Sequence, residues 1–344
     1  MALRIRRLLV TGGAGFIGSA FVRQRLRADP EIEITVLDKL TYAGSEENLA
    51  EVAGDPRMRF VQGDICDPVA VKQLAAQVDA IVNFAAESHV DRSLLDAGAF
   101  VQTDVYGTYV LLEAAREFRH QRFLQVSTDE VYGEVTEGRS KEDDPLRPRS
   151  PYAASKAGAE MLVQAYHNSF GLPVLVTRGS NTFGPYQFPE KIIPLFITNA
   201  LQGLPLPIYG HGTAVRDYLY VDDHASGIAR VLWKGEPGKA YNIGAGNEVN
   251  GVRVADTILE LAGKPSSLKH FVKDRPGHDY RYALDTRRLR PLGWEPITDF
   301  RRGMELTVNW YRTNEAWWQR RKSAEFWDYY RKNYRGLPAD AVPS

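Results

Sequence analysis

Six short apolar runs recur along the first half of the chain: RRLLVTG, EIEITVLD, RMRFVQGD, VDAIVNFAA, HQRFLQVST and LPVLVTR. Most are continuously apolar instead of alternating, the pattern of strands whose two faces are both covered by helices in a parallel sheet. Between the first two, GFIGSAFVRQRLRADP carries Phe16, Ile17, Ala20, Phe21 and Leu26 at helical spacing, with Pro30 just past the end. Strand, helix, strand, repeated, predicts an α/β domain built on a doubly wound parallel sheet.

Past Gly179 the pattern changes. NTFGPYQFPEK and LQGLPLPIYGHGTAVRDY are rich in Pro and Gly, as loops are. YLYVDDHASGIARVLW then reads as a further strand and helix, and KAYNIGAG as another short strand. These shifts predict a large domain over residues 1–179, rejoined by about 217–243, with a smaller, interleaved C-terminal substrate-binding domain over 180–216 and 244–330. From Met304 to Tyr334, Trp310, Trp317, Trp318 and Trp327 stand among many Arg and Lys. This segment is expected to anchor a terminal helical stretch onto the body through its aromatics, in preference to stacking on nucleic acid.

Charge narrows the function classes. With 43 basic and 43 acidic residues in 344, no global field recruits nucleic acid or an anionic membrane. The single cysteine, Cys66, excludes an internal disulfide framework and suits a reducing compartment. No apolar run reaches membrane-spanning length, and the N-terminus lacks a signal-peptide pattern, so a soluble, cytoplasmic protein is expected. No Cys/His/Asp cluster has metal-ligand spacing.

Candidate chemistry begins at the first strand–helix turn. Gly12, Gly15 and Gly18 follow a G-x-x-G-x-x-G spacing, which permits a tight turn and close approach of backbone N–H groups to a pyrophosphate. The next strand ends in Asp38, twenty residues beyond Gly18, where a carboxylate can accept both ribose hydroxyls of an adenosine and repel a 2′-phosphate. NAD is therefore favoured over NADP, although Lys39 follows directly. Asp64 and Ile65 end the third strand and suit an adenine edge. Later, Tyr152 and Lys156 open a helix four residues apart, on one face, where an ammonium is expected to lower the phenol toward use as a base.

The glycine loop, the YAASK stretch and the strand-end Thr128 together resemble the extended short-chain dehydrogenase/reductase family over nearly the whole chain, to about Trp318. That resemblance implies a Rossmann domain, Thr128 hydrogen-bonding the reacting hydroxyl, Tyr152 as acid/base and Lys156 on the nicotinamide ribose. It also implies NAD contacts at Phe16, Ile17, Leu40, Thr41, Ala85, Ala86, Ser88, Thr103 and Thr182.

A simple dehydrogenase or epimerase needs no more than this set. Here STDEVYG adds Asp129 and Glu130 beside Thr128, and two neighbouring carboxyls push each other's pKa values apart, leaving one neutral and one ionised. The residues alone do not choose which is which. The triplet, with DKLTYAG, AAESHVDRS, RDYLYVDDHA and DRPGHDYRYALD, resembles the nucleotide-sugar 4,6-dehydratases, in which Asp129 would be the acid and Glu130 the base. Sugar epimerases and nucleotide-sugar decarboxylases lack the triplet, and GDP-mannose dehydratases typically carry Ser where Asp129 stands. The resemblance implies a dTDP-glucose substrate, with UDP- or CDP-glucose as alternatives, held by Ser88, His89, Asn181, Lys191, Ile192, Pro207, Tyr209, Arg216, Asn250, Arg275 and His278. It further implies a homodimer. The non-enzymatic alternative is an NAD-sensing module, which would have no need of the full catalytic set. Thr182 stands where that family usually has Asn, with shorter reach.

Overall fold

The computed structural model describes residues 3–274, 279–334 and 337. The six apolar runs of the first half form β1 (Arg7–Thr11), β2 (Glu33–Asp38), β3 (Met58–Gln62), β4 (Ala80–Asn83), β5 (Arg122–Thr128) and β6 (Val174–Gly179). After them come β7 (Asn181–Phe183), β8 (Leu206–Tyr209), β9 (Val215–Tyr220), β10 (Lys239–Ile243), β11 (Glu248–Asn250) and β12 (Lys269–Val272). Seven strands make one sheet in the order β10-β6-β5-β4-β1-β2-β3, with every pairing parallel. The doubly wound expectation holds.

The continuous apolar runs are explained by burial on both faces. Leu8, Val10, Val82 and Leu124 pack on one side of the sheet with Phe21, Ile228 and Leu232. Leu9, Ile81, Phe123 and Val174 pack on the other with Val71, Leu111 and Val163. The chain winds outward in one direction from β1 through β2 to β3, and in the other from β4 onward. A crevice therefore opens between the carboxyl ends of β1 and β4, where such sheets bind ligands. A polar ladder crosses this point inside the sheet: Thr11 Oγ1 donates to Asn83 Oδ1 at 2.5 Å, and Asn83 Nδ2 donates to Gln125 Oε1 at 2.9 Å.

The smaller unit packs Ile192–Gln202, Gly251–Ala262 and Phe300–Thr313 around a three-stranded sheet (β11-β9-β7) and a two-stranded one (β12-β8). The segment that rejoins the large sheet starts later than expected. β9 pairs with β7 and β11 in the small sheet, and the return consists of the helix Val221–Lys234 and β10. Terminal anchoring is realised. Met304, Tyr311, Trp318 and Tyr330 are fully buried, and Trp318 Nε1 donates to Tyr311 O at 2.8 Å. Among the described residues, no helix is long and apolar enough to cross a membrane.

Candidate active site

Two adjoining cavities open at the carboxyl ends of the central strands, with Glu130, Asn181, Glu190 and Lys191 in the lining of both. The first is built on the glycine turn. Gly12 has φ +67°, and a Cβ there would lie 2.5 Å from Ala85 N, so only glycine fits. A Cβ on Gly18 would collide with Gly12 O, which holds the helix Phe16–Ala28 tight against the turn. At the end of β2, Asp38 accepts from Ala14 N and Leu40 N, both at 2.9 Å, and these bonds aim its carboxylate. Lys39 does not compete for it, since its ammonium pairs with Asp64 at 2.7 Å.

The cavity collects Gly12, Gly15, Phe16, Ile17, Gly18, Asp38, Lys39, Thr41, Asp64, Ile65, Ala85, Ala86, Ser88, Thr103 and Thr182, together with all five catalytic candidates. Leu40 is not in this lining: its backbone turns at φ 56°, its side chain packs against the core beneath, and its N–H donates to Asp38.

At the head of β5 the chain leaves the sheet in a single turn, Asp129–Tyr132, whose first residues Thr128 caps by accepting from Glu130 N at 3.2 Å. The extended strand thus delivers Thr128 to the cavity and the turn delivers both carboxyls. Asp129 is 3% exposed, and its carboxyl is pushed up to about 8, by burial first and then by the neighbouring Glu130 charge. Arg216 and a hydrogen bond from Thr128 work against that rise, and Asp217 adds to it. A carboxyl at that value carries its proton at neutral pH.

Tyr152 and Lys156 reach the same cavity from the first turns of Pro151–Phe170, which Ser150 caps by accepting from Ala153 N at 3.1 Å. The expected lowering of the phenol is not what the structure has. Burial pushes Tyr152 well above its usual value, with Glu130 and Asp104 adding to the rise, while a hydrogen bond with Thr128 opposes it. Lys156 is drawn elsewhere: Nζ donates to Val126 O at 2.8 Å, and burial lowers its pKa while Asp104 and Glu160 hold it up. Asp104 was not legible as a site residue. It is buried, accepts from Ser155 Oγ at 2.6 Å and Glu87 N at 3.0 Å, and is pushed up to about 6 by burial.

The second cavity gathers His89, Asn181, Lys191, Ile192, Pro207, Tyr209 and Arg216. Asn250 is not in its lining: its side chain accepts from Arg253 N at 2.8 Å and caps the helix Gly251–Ala262. Arg275 and His278 lie outside the described residues. Arg216 stacks over Tyr282 at 4.5 Å and donates to the Val215, Asp279 and Tyr280 carbonyls. Its charge reaches the cavity with much of its hydrogen bonding already committed.

In the lining of the first cavity, Ser127 Oγ, Asp129 Oδ2, Ser180 Oγ, Asn181 Oδ1, Gln187 Oε1 and His224 Nε2 are buried without hydrogen-bond partners. Leaving that many polar atoms unpaired is costly unless a polar ligand or water meets them, so the donor and acceptor set fits a hydroxyl-rich ligand. Among the described residues, no group of three His, Cys, Asp or Glu could hold a metal ion. Sequence reasoning also missed Tyr42, Phe188, Glu190 and Tyr334 as lining residues. Tyr42 lay within the quoted DKLTYAG, whereas Tyr334 lies in a tail that no motif covered.

Comparison with known proteins agrees with this geometry. A family profile described as GDP-mannose 4,6 dehydratase matches residues 9–307. A curated dTDP-glucose 4,6-dehydratase of Actinoplanes is 50% identical over 318 residues, covering 91% of this chain and 99% of the relative. A low-salt glycan biosynthesis protein of Haloferax volcanii is 52% identical, covering 88% of this chain and 98% of its own. The crystal structure of DesIV, a dTDP-glucose 4,6-dehydratase from Streptomyces venezuelae solved with NAD and TYD bound, superposes with a TM-score of 0.90 at 51% identity, over 92% of this chain and 100% of that one. Matched to such relatives at 50–51% identity over most of its length, the chain belongs to the dTDP-glucose 4,6-dehydratase family.

Proposed function

We propose that this chain is an NAD-dependent hydro-lyase that converts dTDP-glucose to dTDP-4-keto-6-deoxyglucose, feeding deoxysugar biosynthesis. One observation carries the reading: a buried Asp129, its carboxyl pushed up by burial and by the Glu130 charge, stands next to Glu130 in the cavity that also holds Thr128, Tyr152 and Lys156. NAD, when bound, would supply a reversible hydride acceptor for sugar C4 and C6. The glycine turn and Asp38 would hold its adenosine half, and Lys156 the nicotinamide ribose.

Tyr152, hydrogen-bonded with Thr128, takes the proton of the C4 hydroxyl. Its phenol is held high in the free protein, so positive charge added beside it is what makes it a base. Once C4 is a ketone, the C5–H is acidic and Glu130 removes that proton. Asp129 gives its proton to the C6 hydroxyl, so that water leaves in place of hydroxide. Glu130 then returns a proton to C5 as hydride reaches C6. Among the second-cavity residues, His89, Asn181, Lys191 and Arg216 supply the polar grip on the nucleoside diphosphate.

The large unit is the NAD domain and the smaller one the nucleotide-sugar domain, in a cytoplasmic homodimer. An exposed apolar stripe supports pairing: Val101, Tyr106, Tyr109, Met161 and Phe170 face outward on neighbouring helical segments of the large unit. Analytical ultracentrifugation tests the dimer.

Activity is tested by incubating purified protein with dTDP-, UDP- and CDP-glucose and following the alkali-induced absorbance of the keto-sugar. Turnover is expected with dTDP-glucose foremost. Preference for another base would overturn the substrate, and no product from any of the three would overturn the lyase reading.

A further inference from the structure

Arg92 is not one of the catalytic candidates, yet three parts of the chain converge on it. Its guanidinium donates from Nε and Nη2 to Glu190 Oε2, at 3.1 and 3.0 Å. Glu190 precedes the helix Ile192–Gln202 of the smaller unit, and its side chain is 1% exposed. The face of the guanidinium lies on Tyr42, with Cζ 3.7 Å from the ring centroid, in the loop that follows Asp38. Tyr329 of the terminal helix Ala324–Asn333 lies 5.3 Å from the same Cζ, and its hydroxyl donates to Asp91 Oδ2 at 3.2 Å. Beside this point Tyr42 meets Phe188 edge-on, at 5.3 Å and 90°, and Lys191 Nζ donates to Ser88 O at 2.6 Å.

Apart from Arg92 on Tyr42, which joins two NAD-side loops, these contacts join the NAD-side loops to the smaller unit or to the terminal helix. Tyr42, Ser88, Phe188, Glu190 and Lys191 line the first cavity together with the residues of the glycine turn. The turn is therefore the floor of the cofactor site, and the Arg92 cluster ties down its roof. We propose that Arg92 is a positioning residue that clasps this roof over NAD, so that the cofactor stays bound through successive turnovers.

The clasp rests on the NAD reading above and deepens it. Retention has a chemical use in that reaction, because hydride taken from C4 must return to C6 of the same sugar. Cofactor lost midway would abandon an oxidised, undehydrated sugar. Opening the roof means parting a buried carboxylate from its cation and lifting that cation off an aromatic face, and both steps are costly.

Two variants separate the clasp from simple folding. Arg92→Lys keeps a cation for the buried Glu190 and loses the flat stacking surface. Tyr329→Ala removes the terminal-helix partner and leaves the Arg92–Glu190 ion pair in place. The measurements are the NAD retained through purification and the rate at which it exchanges with isotope-labelled NAD, followed by rapid filtration, with thermal midpoints recorded alongside. Wild type is expected to retain NAD and exchange it slowly, and both variants to exchange it about tenfold faster or more. Wild-type rates in both variants, or fast exchange in the wild type itself, would overturn the clasp. A wild type that neither retains nor binds NAD would overturn the cofactor reading beneath it.

Discussion

Asp129→Asn is the most informative substitution, because the structure gives it opposite effects on stability and on turnover. In the fold this carboxyl rises from its usual 3.8 to about 8, through burial and then the Glu130 charge. A group with a raised folded pKa leaves stability intact below its unfolded pKa, and stability falls as pH rises toward the folded value. From 3.8 to pH 7 is about 3.2 units, and at roughly 1.36 kcal/mol per unit the carboxyl costs the fold on the order of 4 kcal/mol. Asparagine needs no proton to stay neutral, so Asp129→Asn is expected to raise the melting temperature by several degrees at pH 7.5. The gain should shrink as the pH approaches 4, where the wild-type carboxyl is protonated folded or unfolded. Turnover should fall by about 10² to 10⁴, the usual worth of a general acid, with reduced cofactor accumulating at 340 nm because oxidation at C4 does not use this proton. A variant that melts below the wild type at pH 7.5, or one that still makes product at the wild-type rate, would refute the reasoning.

Glu130→Gln is expected to reduce its NAD when substrate is added and then to stall before water loss, seen as a stable 340 nm signal without keto-sugar; ordinary product formation would remove the role assigned to it. Tyr152→Phe should abolish that signal altogether, with kcat lower by about 10² or more. In wild type, the water-loss step followed by single-turnover mass spectrometry should slow as pH rises through about 8, because Asp129 loses its proton there. A rate independent of pH across that range would count against the acid. Trp318→Ala should cost about 3–5 kcal/mol and lower the melting temperature, since that ring is 1% exposed and a large-to-small change there leaves a cavity.

What the sequence made legible was whatever depends on near neighbours. The apolar runs forecast six of the seven strands of the large sheet because most of them, the edge strand β3 excepted, are buried on both faces by helices, and KAYNIGAG supplied the seventh. The Gly12–Gly18 turn and Asp38 were readable because strand, turn and helix are local, and STDE because both carboxyls sit on one short turn. Leu40 and Asn250 stand outside the cavity linings for a local reason that residue type alone does not reveal: a left-handed backbone turn in one case, a helix cap in the other. The Tyr152 phenol went astray for a non-local one. Helical spacing to Lys156 was correct, but burial with Glu130 and Asp104 from other segments decides the direction. Tyr329 and Tyr334 were beyond reach because what they meet, Asp91 and Tyr209, is far away in the chain.

The most direct test follows the hydrogen itself. Purified protein is given dTDP-glucose carrying deuterium at C4, in ordinary water, and the product is read by NMR. Two unequal acids working beside a cofactor that takes and returns one hydride should yield a 4-keto-6-deoxy sugar with the deuterium at C6 and a solvent proton at C5. Deuterium retained at C4 of a sugar that has lost no water, or washed out into solvent, would contradict the account.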